Sequence, residues 1–371
     1  MRSRLLVLLL ALSCIVPAWA QPAIDAKAYY LVDASSGVVL AESAADEQLD
    51  PASLTKLMTA YLAFQALESG TVAIDELVHV SEKAWRATGS RMFIEVESDV
   101  AFDDLLRGLI VQSGNDAAIA IAEHLAGSVD AFVDEMNLAA QSLGMTGTLY
   151  RNPNGLPARG HVSTAQDTAV LARALIQEYP QYYSRYSERE FTYNDITQHN
   201  RNALLWLDDS VDGLKTGYTS AAGYCLVSSA ARDGMRLIAV VFGSSTADAR
   251  TAGSLALLNH GFDSFETHKL YDRGQSVAQA RVFKGNIDVL NLGPAEDVYV
   301  TLPRGSSIEL AASAALTAEI IAPLARDQAV GELVLSLAGD TIASLPLVAL
   351  DAVEEGWLLS RLADSVSLWL D

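Results

Sequence analysis

Three short clusters carry the residue types that acyl transfer requires. Ser53-Leu54-Thr55-Lys56 places a hydroxyl and an amine three residues apart, and Ser113-Gly114-Asn115 pairs a second hydroxyl with an amide. Lys215-Thr216-Gly217-Tyr218 adds another cation and another hydroxyl. A serine hydroxyl is a poor nucleophile at neutral pH and needs a base within hydrogen-bond reach. A lysine can be that base only when neutral, a state favoured by burial and by a nearby cation. Taken singly, each cluster has a plain structural explanation: a solvated helix face, a turn, a strand end. Their joint occurrence, each in a fitting structural context, points instead to one site built from three parts of the chain.

The elements that position them follow from pattern. Asp50 is suited to cap a helix and Pro51 to occupy its first position, and Leu54, Leu57, Met58, Tyr61 and Leu62 recur at helical spacing to about Gly70. Ser53 then stands in the first turn, where its own N–H has no intrahelical acceptor. The spacing predicts a helix over 102–110 and a small-residue helix over 116–126, with Gly114 supplying the sharp loop between them. Further helices are expected over 129–143, from a Ser163 or Thr164 cap to about Gln177, and over 247–261 behind Ser244-Ser245-Thr246. Residues 29–41 read as a hairpin around Gly37, and Arg232-Asp233-Gly234 joins strands 224–230 and 235–242. Lys215 lies on the strand edge before that hairpin, while the Tyr-rich segment 179–193 shows little periodicity. This order implies an α/β (α+β) domain, an antiparallel sheet with helices on both faces. After about residue 284 the chain turns to short alternating strands, 298–302, 308–311, 328–337 and 341–350, as in a small all-β domain. A terminal amphipathic helix with Leu358, Leu362, Val366 and Trp369 on one stripe closes it.

Residues 1–20 read as a secretory signal peptide: Arg2 and Arg4, an apolar run, then Ala18-Trp19-Ala20 before Gln21. Its removal takes away Cys14 and leaves Cys225 as the one cysteine, which excludes an internal disulfide; Cys225, beside Leu226 and Val227, is expected to be a buried, inert thiol. Loss of Arg2 and Arg4 moves the formal charge from −21 to −23, which excludes nucleic acid or anionic lipid as partners through bulk charge. His79, His124, His161, His199, His260 and His268 show no zinc-binding spacing, so no metal is expected.

The three clusters in this order resemble the penicillin-recognising serine acyl-transferases. Asp50-Pro51-Ala52-Ser53-Leu54-Thr55-Lys56, Gln112-Ser113-Gly114-Asn115-Asp116-Ala117, Asn200-Arg201-Asn202 and Val211-Asp212-Gly213-Leu214-Lys215-Thr216-Gly217 are similar to the low-molecular-mass penicillin-binding proteins that act as D-alanyl-D-alanine carboxypeptidases. The resemblance implies a β-lactamase/transpeptidase-like catalytic domain over 21–283, an all-β C-terminal domain over 284–355, and a membrane-associating helix over 356–371. It implies Ser53 as nucleophile, Lys56 as base, Ser113 as proton relay, Asn115 as the group orienting Lys56 and the substrate, and Lys215 as the source of positive potential. Lys215 is also expected to lower the pKa of Lys56. Thr216 would donate to the substrate's terminal carboxylate, and Gly217 and Tyr218 would flank it, with the Tyr218 N–H completing an oxyanion hole beside that of Ser53. Arg201 is either a steering group for that carboxylate or half of a structural ion pair.

The implied substrate is the stem peptide of peptidoglycan, β-lactams are the implied covalent inhibitors, and no cofactor is called for. The implied location is periplasmic, with weak peripheral contact to the inner membrane. The contact is weak because the tail carries Arg361 against Asp364 and Asp371; packing on the β domain is the alternative for that helix. A β-lactamase or DD-endopeptidase on the same scaffold is the nearest alternative function, and a non-catalytic peptidoglycan-binding scaffold is the alternative from another class. Against the lactamase, the Glu-x-x-Leu-Asn pattern of class A enzymes is absent, and Glu135-Met136-Asn137 does not replace it.

Overall fold

The computed structural model describes residues 22–306, 310–337 and 339–370, so the leader lies outside the described residues. Five antiparallel strands form the main sheet, in the order Val39–Ser43, Ala28–Asp33, Met235–Ser244, Gly223–Arg232 and Val211–Thr219. Both faces of this sheet are covered, and strict alternation distributes the side chains. Tyr30, Val32, Ile238, Val240 and Phe242 join a large core with Leu57, Met58 and Phe64. Tyr29, Leu31, Leu237, Ala239 and Val241 turn the other way, onto Leu257, Leu258 and Phe262 of the helix Ala247–Ser264. The helix Lys56–Glu68 runs through the middle of the larger core and is buried almost all round, which suits its run of apolar residues.

Most expected elements stand within a residue or two of their sequence positions. The hairpin around Gly37 is present, Thr164 caps Ala165–Glu178 through its side chain, and Thr246 caps Ala247–Ser264. Three places differ in ways that matter for the site. Asp50 does not cap the helix; Pro51 holds the cap position of a 3₁₀ turn, Ala52–Thr55, and the α-helix starts only at Lys56. The helix expected over 102–110 ends at Arg107 and gives way to a π-type turn, Gly108–Gln112. The left-handed residue of the following loop is Ser113, with φ 67° and ψ 38°, and not Gly114, which is extended. Gly114 is needed for space: a Cβ there would sit 2.8 Å from Asp116 Oδ1. In the Tyr-rich segment Glu190–Tyr193 and Ile196–His199 form a hairpin, turned by Asn194 and Asp195 at positive φ.

The C-terminal sheet has six strands, in the order Leu310–Leu316, Ala329–Leu337, Asp340–Ala349, Val289–Pro294, Ala278–Phe283 and Ile320–Ile321, around Leu290, Leu292, Leu333, Leu335 and Leu347. The strand expected over 308–311 falls partly outside the described residues and is observed from Leu310. A separate ribbon, Phe265–Tyr271 with Val298–Pro303, joins the two parts. Buried Asp33, at the end of a main-sheet strand, accepts from Ser36 N at 2.7 Å and from Thr267 Oγ1 of the ribbon at 2.9 Å. The terminal helix Leu358–Leu370 keeps Leu358, Leu362, Val366 and Trp369 exposed, so that stripe is not packed on the β domain. Its Asp364 accepts from Lys284 N at 2.6 Å and Arg281 Nη2 at 3.2 Å and ties the helix to the domain.

Candidate active site

The cleft, about 360 Å³, opens between the edge strand Val211–Thr219 and the start of the central helix, and Ser53, Ser113, Asn115, Arg201, Thr216, Gly217 and Tyr218 all line it. In a 3₁₀ turn residues three apart lie above one another. That geometry carries Lys56 Nζ to 3.1 Å from Ser53 Oγ. Two backbone approaches press this turn into place. A Cβ on Gly155 would overlap Ala52 O, so that position excludes a side chain, and one on Gly217 would stand a tight 3.2 Å from both Pro51 O and Ser53 N.

Lys56 is 1 % exposed. It donates to Asn115 Oδ1 at 2.7 Å and to the Asn154 carbonyl at 2.6 Å. Asn115 is itself fixed, since its Nδ2 donates to the Thr88 carbonyl at 2.6 Å. Burial, then the Arg201 cation, lower the Lys56 pKa to about 7, with the Asp116 carboxylate opposing them. A neutral amine has two N–H groups and one lone pair. With both N–H groups on Asn115 and Asn154, the lone pair is left for the hydroxyl of Ser53.

Lys215 is 3 % exposed, and its Nζ donates to the Thr216 carbonyl at 3.0 Å. Burial, then the charges of Lys56, Arg201 and Arg250, hold its pKa well below the usual lysine range. Burial leads at Lys56, and Arg201 is a further cation acting on it that the sequence did not point to. The mutual repulsion of Lys56 and Lys215 opposes both being charged at once. Ser113 is buried at the cleft wall, but the hydrogen bonds of Lys56 and Lys215 go elsewhere. Arg201 makes no ion pair among the described residues, whereas its neighbours Asn200 and Asn202 brace the backbone, Asn202 Nδ2 donating to the Gly213 carbonyl at 3.0 Å.

Two contributors escape sequence reasoning. Asn154 acts through its carbonyl, from the turn-rich segment 152–157 whose only sequence signal was irregularity. Arg250, on the first turn of the helix Ala247–Ser264, is 8 % exposed, and its Nε has no hydrogen-bond partner among the described residues. Its guanidinium lies 5.9 Å from the Tyr224 ring centre, and Tyr224 in turn stacks near Tyr218, 4.3 Å between centres. Nothing local in the sequence marks it, because its place in the cleft depends on how that helix crosses the sheet.

Residues 16–246 match the family described as D-alanyl-D-alanine carboxypeptidase, and residues 265–355 match the penicillin-binding protein 5 C-terminal domain. The chain is 45 % identical over 357 residues to D-alanyl-D-alanine carboxypeptidase DacA of Escherichia coli, covering 94 % of this chain and 88 % of that protein. DacC of the same organism is 44 % identical over 356 residues, 94 % of this chain and 89 % of that one. The fold agrees with the crystal structure of penicillin-binding protein 5 from Haemophilus influenzae, with a TM-score of 0.85 and 41 % identity over 91 % of this chain and 99 % of the other. The chain belongs to the D-alanyl-D-alanine carboxypeptidase family of penicillin-binding proteins.

Proposed function

We propose that the protein is a serine-type D-Ala-D-Ala carboxypeptidase whose nucleophile is Ser53. The observation that carries this reading is the environment of Lys56: dry, with both N–H groups spoken for and its remaining valence 3.1 Å from Ser53 Oγ. As Ser53 Oγ bonds to the carbonyl carbon between the terminal D-alanines, its proton passes to Lys56 Nζ. The oxyanion is held by the N–H groups of Ser53 and Tyr218. The C–N bond then breaks, the departing D-alanine amine takes a proton through the Ser113 hydroxyl, and an acyl-enzyme remains. Water, deprotonated in the same way, releases the shortened stem peptide and restores Ser53.

The terminal carboxylate of the substrate meets the Thr216 hydroxyl and the positive field of Lys215, Arg201 and Arg250. Arg250 suits this role because its guanidinium is largely buried at the cleft wall with no ion-pair partner among the described residues, a cost that an incoming anion relieves. No Asp or Glu lines the cleft among the described residues, so no carboxylate is placed to speed hydrolysis of a penicilloyl-enzyme. β-Lactams therefore act as long-lived acylating inhibitors, which disfavours the lactamase alternative.

In this reading a cleaved leader exports the protein to the periplasm, and the catalytic domain begins near residue 21. The β domain starts at the ribbon strand Phe265–Tyr271, earlier than the residue 284 read from texture, and ends near residue 355. Among the described residues no helix is long and apolar enough to cross a membrane. The exposed stripe on Leu358–Leu370, with Trp357 and Trp369, suits weak peripheral contact with the inner membrane. Release of D-alanine from a synthetic pentapeptide, assayed beside cross-linked stem-peptide dimers, tests the function. Release from the pentapeptide is expected, whereas cleavage confined to the dimers would make the protein an endopeptidase. Retention of full cellular function by Ser53→Ala would favour a scaffold.

A further inference from the structure

His161 takes no part in the chemistry above, yet it is 2 % exposed and makes two directed hydrogen bonds. Its Nδ1 accepts from Arg151 N at 2.9 Å. A ring nitrogen spent as an acceptor puts the proton on the other, so Nε2 donates to Thr55 Oγ1, 2.7 Å away. Tyr150 meets the ring edge-on at 5.9 Å between centres. Burial, then the Arg151 cation, lower its pKa to about 4, so the ring is neutral at any pH where Lys56 can act as a base.

Thr55 stands inside the Ser53-x-x-Lys56 turn, and Thr59 one helical turn later; both are fully buried. Thr59 Oγ1 donates to the Pro153 carbonyl at 2.6 Å. The two hydroxyls that flank Lys56 are thus both committed to the loop 150–162, one directly and one through His161. Between these anchors lies Asn154, whose carbonyl accepts from Lys56. Asn154, Gly155 and Leu156 also form one wall of the cleft.

We propose that His161 is a positioning residue for acyl transfer: its bond to Thr55 pins the loop 150–162 to the nucleophile turn, so that the Asn154 carbonyl keeps the Lys56 lone pair on Ser53 and the loop keeps water from Lys56. The inference rests on Lys56 being the base. The charges acting on Lys56, those of Arg201 and Asp116, come from outside the loop, and the repulsion with Lys215 likewise; Arg151 is the charge that acts on His161. None of them fixes the position of Asn154.

The test is the rate of acylation by a fluorescent penicillin as a function of pH, in the full chain. His161→Asn keeps an acceptor where Nδ1 stands but cannot reach Thr55, Thr55→Val removes the partner, and Thr55→Ser retains it. A loosened loop readmits water, and burial is the leading cause of the low Lys56 pKa. A rise of about one unit would cut the neutral fraction at pH 7 from about a half to about a tenth, a rate loss of about fivefold that vanishes by about pH 10. His161→Asn and Thr55→Val are each expected to show this, their combination to add nothing further, and Thr55→Ser to behave as the parent. The proposal is overturned if both variants lower the melting temperature but leave the rate and its pH limb unchanged, and Thr55→Val alone decides if His161→Asn does not fold. A parent protein that penicillin does not acylate at any pH would instead overturn the reading of Ser53 and Lys56 on which the proposal stands.

Discussion

Replacing Arg201 by glutamine should move the pH at which Ser53 becomes reactive. Lys56 falls from an ordinary value of 10.5 to about 7, with burial as the leading cause and the Arg201 cation next. Losing one such neighbouring cation is worth about one unit, or ~1.4 kcal/mol between the two protonation states of Lys56. The sign is fixed: losing a neighbouring cation favours the ammonium form, so the pKa rises and the acylation limb shifts to higher pH. At pH 7 the neutral fraction of Lys56 drops about fivefold, and above about pH 9 the loss nearly disappears. Any contribution of Arg201 to holding the carboxylate of the β-lactam lowers the whole curve without moving its limb, so the two effects separate in one data set. Stopped-flow acylation from pH 5 to 10 is the assay. A limb that stays put, or moves to lower pH, would refute the claim that Arg201 poises Lys56.

Lys56→Met should alter stability in a pH-dependent way. The folded chain binds fewer protons at Lys56 than the unfolded chain between about pH 7 and 10.5, so lysine costs stability at pH 7 and the cost fades as pH rises. The gap is at most about 5 kcal/mol, and urea unfolding of parent and variant should converge toward pH 10.5; parallel curves would contradict it. Gly155→Ala should lose roughly 3 kcal/mol or more in denaturant unfolding and slow acylation about 100-fold, since its Cβ would collide with Ala52 O beside Ser53 and its φ is +80°. Arg250→Gln should raise KM for a pentapeptide about tenfold or more with a smaller change in kcat, without a drop in melting temperature, because it removes a buried charge that lacks a partner at Nε. A proportional fall in kcat alone would place Arg250 outside carboxylate recognition.

The three motifs were legible because each is local: a few consecutive residues state both the chemistry and the element that carries it. The Arg232-Asp233-Gly234 hairpin and the stripe Leu358, Leu362, Val366 and Trp369 were legible for the same reason. What the sequence did not show depends on long-range packing. The 3₁₀ geometry of Ala52–Thr55 follows from Gly155 and Gly217 pressing on its backbone, a contact no cap rule contains, and so Asp50 looked like a cap. The left-handed turn falls on Ser113 because Gly114 N is held by the Gly108 carbonyl at 2.9 Å, across the π-type turn, while glycine's missing Cβ is used for space. The part of Arg201 in lowering the Lys56 pKa was not legible, since its approach to Lys56 exists only in the folded chain. Asn194 and Asp195 were a readable turn signal, masked by the surrounding tyrosines.

Intact-mass analysis after incubation with penicillin addresses the central claim most directly, because it asks whether Ser53 becomes covalently attached. One penicilloyl group per chain is expected, lasting minutes or longer, mapping to the peptide that contains Ser53 and absent from Ser53→Ala. No adduct on the parent, or an adduct that survives Ser53→Ala, would contradict the account.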